Sequence, residues 1–212
     1  MHLRAWLLPG LLCMVSLAPT PILAEPIQFG FTGVVVATNK PGTFPLGQPV
    51  VGFYTFESTT PDDNAVNPEQ GYYFGALISF AFVSGSFSAL ATEQNSDNLG
   101  GDIIVNRNSV FQPHQYQVWL GRELDNGDPW GPDVNGEELW RMVIVLKDDG
   151  ETAITSKALP LAPPDLALFT LKTFNLIFET DPTSTPGGVV FELQTLVGPV
   201  TPTASVTWGS VK

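Results

Sequence analysis

Cysteine is almost missing from this chain: Cys13 is the only one in 212 residues. No intrachain disulfide can form, and a zinc site of the usual nitrogen and sulfur ligands has nothing to build on. Histidine is nearly as scarce. His2 and His114 are the only two, so a Ser-His-Asp triad would depend on His114 once a leader is removed, and no G-x-S-x-G elbow accompanies it. Positive charge is short as well: nine Lys and Arg stand against 21 Asp and Glu, a formal charge of −12. That balance argues against nucleic acid and anionic membrane surfaces as partners, because both need positive charge. It permits calcium and is neutral towards sugars. G-x-G-x-x-G and P-loop patterns are also missing, so no nucleotide cofactor is expected. Past residue 24, no apolar run approaches the roughly 20 residues that a membrane-spanning helix needs.

What is present begins with an address. Met1-His2-Leu3-Arg4 carries one firm positive charge, and an apolar run from Ala5 to Leu17 follows, broken by Pro9 and Gly10. Small and turn-forming residues from Ala18 to Ala24 precede the first acid, Glu25. A basic start, a short apolar stretch and a small-residue exit define a secretory signal peptide, here residues 1–24. Cutting after Ala18 would place Pro19 just past the cut, which favours Ala24. Leu12 stands where a lipoprotein signal needs a small residue before Cys13. The expected product is a cysteine-free chain, 25–212, with 21 acids against 8 bases once Arg4 is gone. It is expected to be secreted, extracellular or periplasmic, and its lack of cysteine points towards bacteria.

The rest is written in period two. Ile27, Phe29 and Phe31 alternate with other residues, as do Ile78, Phe80 and Phe82, then Tyr116, Val118 and Leu120, then Phe174, Leu176 and Phe178. Val189, Phe191 and Leu193 repeat the pattern near the C-terminus. Such alternation marks strands with one buried face. Val34 to Val36, Val50 to Phe56, Ile103 to Val105 and Met142 to Leu146 are β-branched or apolar runs that also suit strands. Gly, Pro, Asn and Asp punctuate them at short intervals. Nine or ten strands in one domain predict an all-β, two-sheet antiparallel sandwich, jelly-roll-like. Pro163-Pro164-Asp165 followed by Leu166 to Phe169 predicts one short helix near residues 163–169.

Three segments carry a resemblance: IQFGFTGVVVATNK, GQPVVGFYTFESTTPDD and GYYFGALISFAFVSGSF. Together with LPLAPPDLALFTLKTFNLIFE they resemble exported bacterial β-proteins of the exosortase-sorted, PEP-CTERM type. The likeness runs through most of residues 27–196. It implies a β-fold and an export address and brings no shared activity. Proteins of that type end in a Pro-Glu-Pro signal, an apolar helix and a basic tail, and the given sequence shows none of the three.

The most unusual stretch is ELDNGDPWGPDVNGEE, residues 123–138, with Glu123, Asp125, Asp128, Asp133, Glu137 and Glu138 and no base. Oxygen-rich loops suit calcium, which takes six to eight oxygen ligands, and Asp125, Asp128 and Asp133 are the candidate ligands. The spacing is not that of an EF-hand, and a solvated acidic loop with turns at Asn126-Gly127 and Asn135-Gly136 explains it as well. Glu123-Leu124-Asp125 also resembles the start of the E-x-D-x-x-E signature of sandwich-fold glycoside hydrolases. Asp128 stands where that signature wants glutamate. Trp130, stiffened by Pro129 and Pro132, is a candidate stacking platform for a sugar ring, or else a plug folded over the edge of the sandwich. Trp119 and Trp140 lie beside apolar alternation, so one of them is free to face outward, while Trp208 is expected to be packed. His114, after Pro113 at a strand entrance, reads as an exposed loop histidine, and Ser84-Gly85-Ser86 as a turn.

The leading expectation is therefore a secreted, non-enzymatic β-protein of the cell surface or matrix, binding extracellular polysaccharide or a surface protein. One competitor is a carbohydrate-binding module using Trp130, with calcium ordering its loop. The other is a glycoside hydrolase in which two of Glu123, Asp125 and Asp128 face each other across a groove.

Overall fold

The computed structural model describes residues 26–92, 101–107, 114–121, 130–179 and 187–198. Ten strands account for most of these: β1 (Ile27–Thr38), β2 (Pro49–Phe56), β3 (Gln70–Tyr73), β4 (Leu77–Ser84) and β5 (Phe87–Thr92). The second half supplies β6 (Gly101–Asn106), β7 (His114–Gly121), β8 (Glu138–Asp148), β9 (Leu171–Glu179) and β10 (Gly187–Val197). Every pairing is antiparallel, and the strands form one sheet in the order β3-β6-β7-β8-β9-β10-β1-β2-β4-β5. The all-β expectation holds. The division into two sheets does not appear: a single ladder runs unbroken from β3 to β5. Period-two alternation reports only that one face of each strand is buried, and one sheet curled onto itself satisfies that as well as two sheets do.

Curling needs local twist, and bulges provide it. Register shifts interrupt β1 against β10 between Thr32 and Gly33 and again between Val35 and Ala37. In β8 against β9 the extra residue is Trp140, since Leu139 faces Phe178 while Arg141 faces Ile177. In β4, Thr55 faces Ser79 and Phe56 faces Leu77, leaving Ile78 as the extra residue. That shift sends Leu77 into the core, where simple alternation would place Ile78.

The curled inner face packs against itself. Phe174 of β9 lies at the centre, its ring 5.1 Å from Phe31, 5.2 Å from Phe82, and 5.4 Å from both Phe80 and Phe191. Tyr54 of β2 and Tyr116 of β7, far apart in the sheet order, join their hydroxyls at 3.1 Å inside the core. Loops cover what the sheet leaves open. Phe44, from the loop after β1, is fully buried 5.0 Å from Phe87 and 5.9 Å from Phe178. Beside it the buried Lys40 ion-pairs with Glu137 at 2.5 Å. Ile154, Leu159 and Phe169, from the segment after β8, are buried in the same core.

The expected helix near 163–169 is a single 3-10 turn, Leu166–Leu168. Asp165 caps it by accepting the Ala167 N–H at 3.0 Å. Phe169 is extended (φ −102°, ψ 133°) and buried, and Thr170 already donates to the Lys147 carbonyl at 2.9 Å. The chain must extend at once to enter β9, which leaves no room for a second turn. Among the described residues no helix is long and apolar enough to cross a membrane.

Phe174→Ala removes the ring that four others share and should destabilise the fold by about 3–5 kcal/mol. Urea unfolding followed by tryptophan fluorescence measures this, and a loss below about 1 kcal/mol would mean that the cluster does not hold the sheet closed.

Candidate functional site

Strand patterning normally leaves the solvent face polar. Along β2, β4 and β5 it does not: Val51 and Phe53, Ala81 and Val83, and Leu90 put apolar side chains on the outside as well. The signal was present in the sequence, because Val50-Val51-Gly52-Phe53 and Phe80-Ala81-Phe82-Val83 contain no polar residue. The result is an apolar groove of about 620 Å³, lined by Val51, Phe53, Ala81, Val83 and Leu90 and walled by Trp130. Val51 is 59% exposed and Leu90 42%, so the groove is open to solvent.

Trp130 closes one side because the chain carrying it runs along the edge strand. Its carbonyl accepts the Leu90 N–H at 2.8 Å, capping β5 where an unpaired edge would otherwise be exposed. Only 4% of Trp130 is exposed, and its indole Nε1 is buried with no hydrogen-bond partner. This is the geometry of a plug over the sheet edge. An open stacking platform would need a free ring face.

The acidic stretch is described from Trp130 onward; Glu123, Asp125 and Asp128 lie outside the described residues. Asp133 is exposed. Asn135 and Gly136 both have positive φ, 59° and 78°, and Val134 bridges Glu137, so they form a tight two-residue turn. Glu137 is committed to Lys40. Among the described residues no three His, Cys, Asp or Glu side chains are grouped to hold a metal ion.

Both Trp119 and Trp140 end on the outer face, half-buried. Trp119 alternates with the inward Val118 and Leu120, and Trp140 is the bulged residue of β8. Between them lies Arg141, its guanidinium carbon 3.9 Å from the Trp140 ring centre and 4.9 Å from that of Trp119. Trp119 also faces Asp102 across the β6–β7 ladder. Asp102 is buried and accepts from the Tyr72 hydroxyl at 2.6 Å. Burial, followed by that charged partner, pushes the Tyr72 phenol up to about 12. Burial likewise raises the Asp102 carboxyl. Trp208 lies outside the described residues.

His114 differs from the expected exposed loop histidine. It is the first residue of β7, 5% exposed, and pairs in register with Asp148 of β8. Its place on the inward parity of β7 buries it, and Pro113 next to it hid that parity in the sequence. Asp148, 2% exposed, organises the turn that follows: its carboxylate accepts backbone N–H groups from Gly150 (2.7 Å), Thr152 (2.5 Å) and Ala153 (2.7 Å). Those bonds, that of Ala153 first, hold its carboxyl below the usual 3.8 against the opposing effect of burial, and His114 adds a smaller pull in the same direction.

Compared with known proteins, the chain matches no family model, no curated protein and no solved structure. The groove, the Trp119–Arg141–Trp140 stack and the His114–Asp148 region therefore have to be read from their own chemistry.

Because Asp148 has a lowered pKa in the fold, its contribution to stability is full above the unfolded value of 3.8 and is lost as pH falls through the folded value. Asp148→Asn should cost about 2 kcal/mol at neutral pH. Urea midpoints of the two proteins should converge between pH 4 and pH 2, and a gap that persists unchanged into acid would contradict a role for the charge.

Proposed function

We propose that this is an exported, non-enzymatic binding protein of the cell surface or matrix, and that it takes an apolar ligand in the groove over β2, β4 and β5. The groove itself is the observation that carries this reading. Its volume of about 620 Å³ falls inside the roughly 300–1,000 Å³ of small-molecule sites. Exposed Val51 and Leu90 offer apolar area whose burial would drive association. Trp130 is a rigid aromatic wall of the kind that concentrates binding energy. The export address and the kinship with the exosortase-sorted type rest on the signal-like start and on the strand motifs of residues 27–196.

The neutral dye N-phenyl-1-naphthylamine avoids repulsion from the acidic chain and tests this directly. It should bind saturably at one site, with enhanced dye emission. Val51→Asp sets a carboxylate in the groove at an exposed position, so it should weaken binding about tenfold or more while the protein still melts cooperatively well above the assay temperature. Unchanged dye affinity in Val51→Asp would sink the proposal.

A second reading, a carbohydrate-binding module, draws on Trp119 and Trp140, which present aromatic surface beside Arg141 and Asp102 on the outer face. It moves the sugar platform away from Trp130. It predicts retention on an insoluble polysaccharide that Trp140→Ala abolishes; equal retention of both proteins would remove its support.

A further inference from the structure

Four segments meet at a second concavity, of about 390 Å³, and bring Glu69, Arg107, His114, Glu151, Ile154 and Thr155 to its walls. The Arg107 N–H donates to the Glu69 carbonyl at 2.7 Å, which fixes the segment before β3 to the end of β6. His114 heads β7, and Glu151 follows β8.

Three properties distinguish this cleft from ordinary polar surface. Its charges are mixed and unspent: among the described residues neither Glu69, Glu151 nor Arg107 is ion-paired, although all three line one hollow. His114 is 95% removed from solvent, lines the same hollow, and its Nδ1 has no hydrogen-bond partner. Such a buried polar atom is costly unless something satisfies it. Glu151 holds φ at 59°, a conformation that non-glycine residues rarely adopt. Asp148 keeps it there by binding the N–H groups of Gly150, Thr152 and Ala153, on both sides of Glu151. Strain held in place by surrounding bonds is a recurrent feature of ligand clamps.

The donor set selects the ligand. A guanidinium fork recognises a carboxylate through paired N–H groups. Two carboxylates recognise an ammonium group, and together with Arg107 they leave the hollow with a net charge of one negative. No three of its groups are arranged to hold a metal ion. We infer that the Glu69–Arg107–His114–Glu151 cleft is a binding site for a small amino-carboxylate, a free amino acid of neutral or basic side chain. Its carboxylate is placed on Arg107 and its ammonium between Glu69 and Glu151. This site is separate from the groove walled by Trp130, and neither depends on the other.

The test uses L-lysine as probe and the imidazole proton–carbon resonances of the purified chain as readout. His2 and His114 are the only histidines, and His114→Gln identifies the relevant ring. L-lysine should shift the His114 signals saturably. Acetate and n-butylamine, which each carry half of the proposed ligand, should shift them far less at the same concentration and ionic strength. Glu151→Gln and Arg107→Gln alter exposed side chains and should keep the aromatic and methyl spectrum of the fold while each weakens L-lysine about tenfold or more. A response matched by acetate and n-butylamine, by sodium chloride alone, or by both variants would overturn the assignment, as would no response at all.

Discussion

Closure of a single sheet upon its own inner face is the constraint from which the rest of the molecule follows. Strands β1 and β10 lie side by side at the middle of the order, so both halves of the chain must fold towards each other to bury one set of phenylalanines. Phe174 brings the halves together, touching Phe31, Phe80 and Phe82 from the first half and Phe191 from its own. The Tyr54–Tyr116 hydroxyl pair adds direction to what is otherwise a non-directional attraction. Each bulge in β1, β4 and β8 bends the sheet so that these side chains can meet.

A curled sheet has open ends and bare edges, and two of the three functional candidates, the apolar groove and the mixed-charge cleft, lie where a loop deals with one of them. The edge of β5 is capped by the Trp130 carbonyl, and that cap builds one wall of the apolar groove. The opposite edge, β3, is capped by Asp62 and Asp63: Asp62 accepts the Tyr72 N–H at 3.0 Å, and the Asp63 N–H donates to the Tyr72 carbonyl at 2.8 Å. The mixed-charge cleft opens near that capped edge, between Glu69 and the turn held by Asp148. Edge protection and site construction are thus the same pieces of chain used twice.

Strand existence was legible in the sequence because period-two burial is a local property. The alternating sets at Phe29 and Phe31, Tyr116 to Leu120, Phe174 to Phe178 and Val189 to Leu193 are the buried core. Sheet closure was not legible, since no local pattern says whether two faces that meet belong to one ladder or two. The exchange of Ile78 for Leu77 escaped because a bulge is one inserted residue and leaves the composition unchanged. Asn135-Gly136 was readable as a turn because both residues tolerate positive φ. His114 was misread for a related reason: its proline neighbour suggests a loop, while its parity along β7 places it inside. The outer groove had a weaker signal, two runs without polar residues, which alternation alone treats as redundant.

A chain with a single cysteine has to fix long loops by other means, and here it uses hydrogen-bonded charge, half-buried at Lys157 and buried at Asp148. Lys157 donates to the carbonyls of Asn64, Ala65 and Asn67 and ion-pairs with Asp62 at 2.8 Å, so one ammonium holds the whole connection between β2 and β3. Asp148 does the converse with three N–H groups after β8. A desolvated charge is tolerable when hydrogen bonds surround it, and charge-assisted bonds are stronger than neutral ones. These cages are also stiff, which bears on the cleft between them. Glu69 follows directly on the Lys157-held loop, and Glu151 sits inside the Asp148 turn at φ 59°. Glu69 and Glu151 are thus mounted on separately ordered loops, and among the described residues neither carboxylate is ion-paired with Arg107. The interactions that stand in for disulfides also set the backbone on which the charges of the cleft are carried.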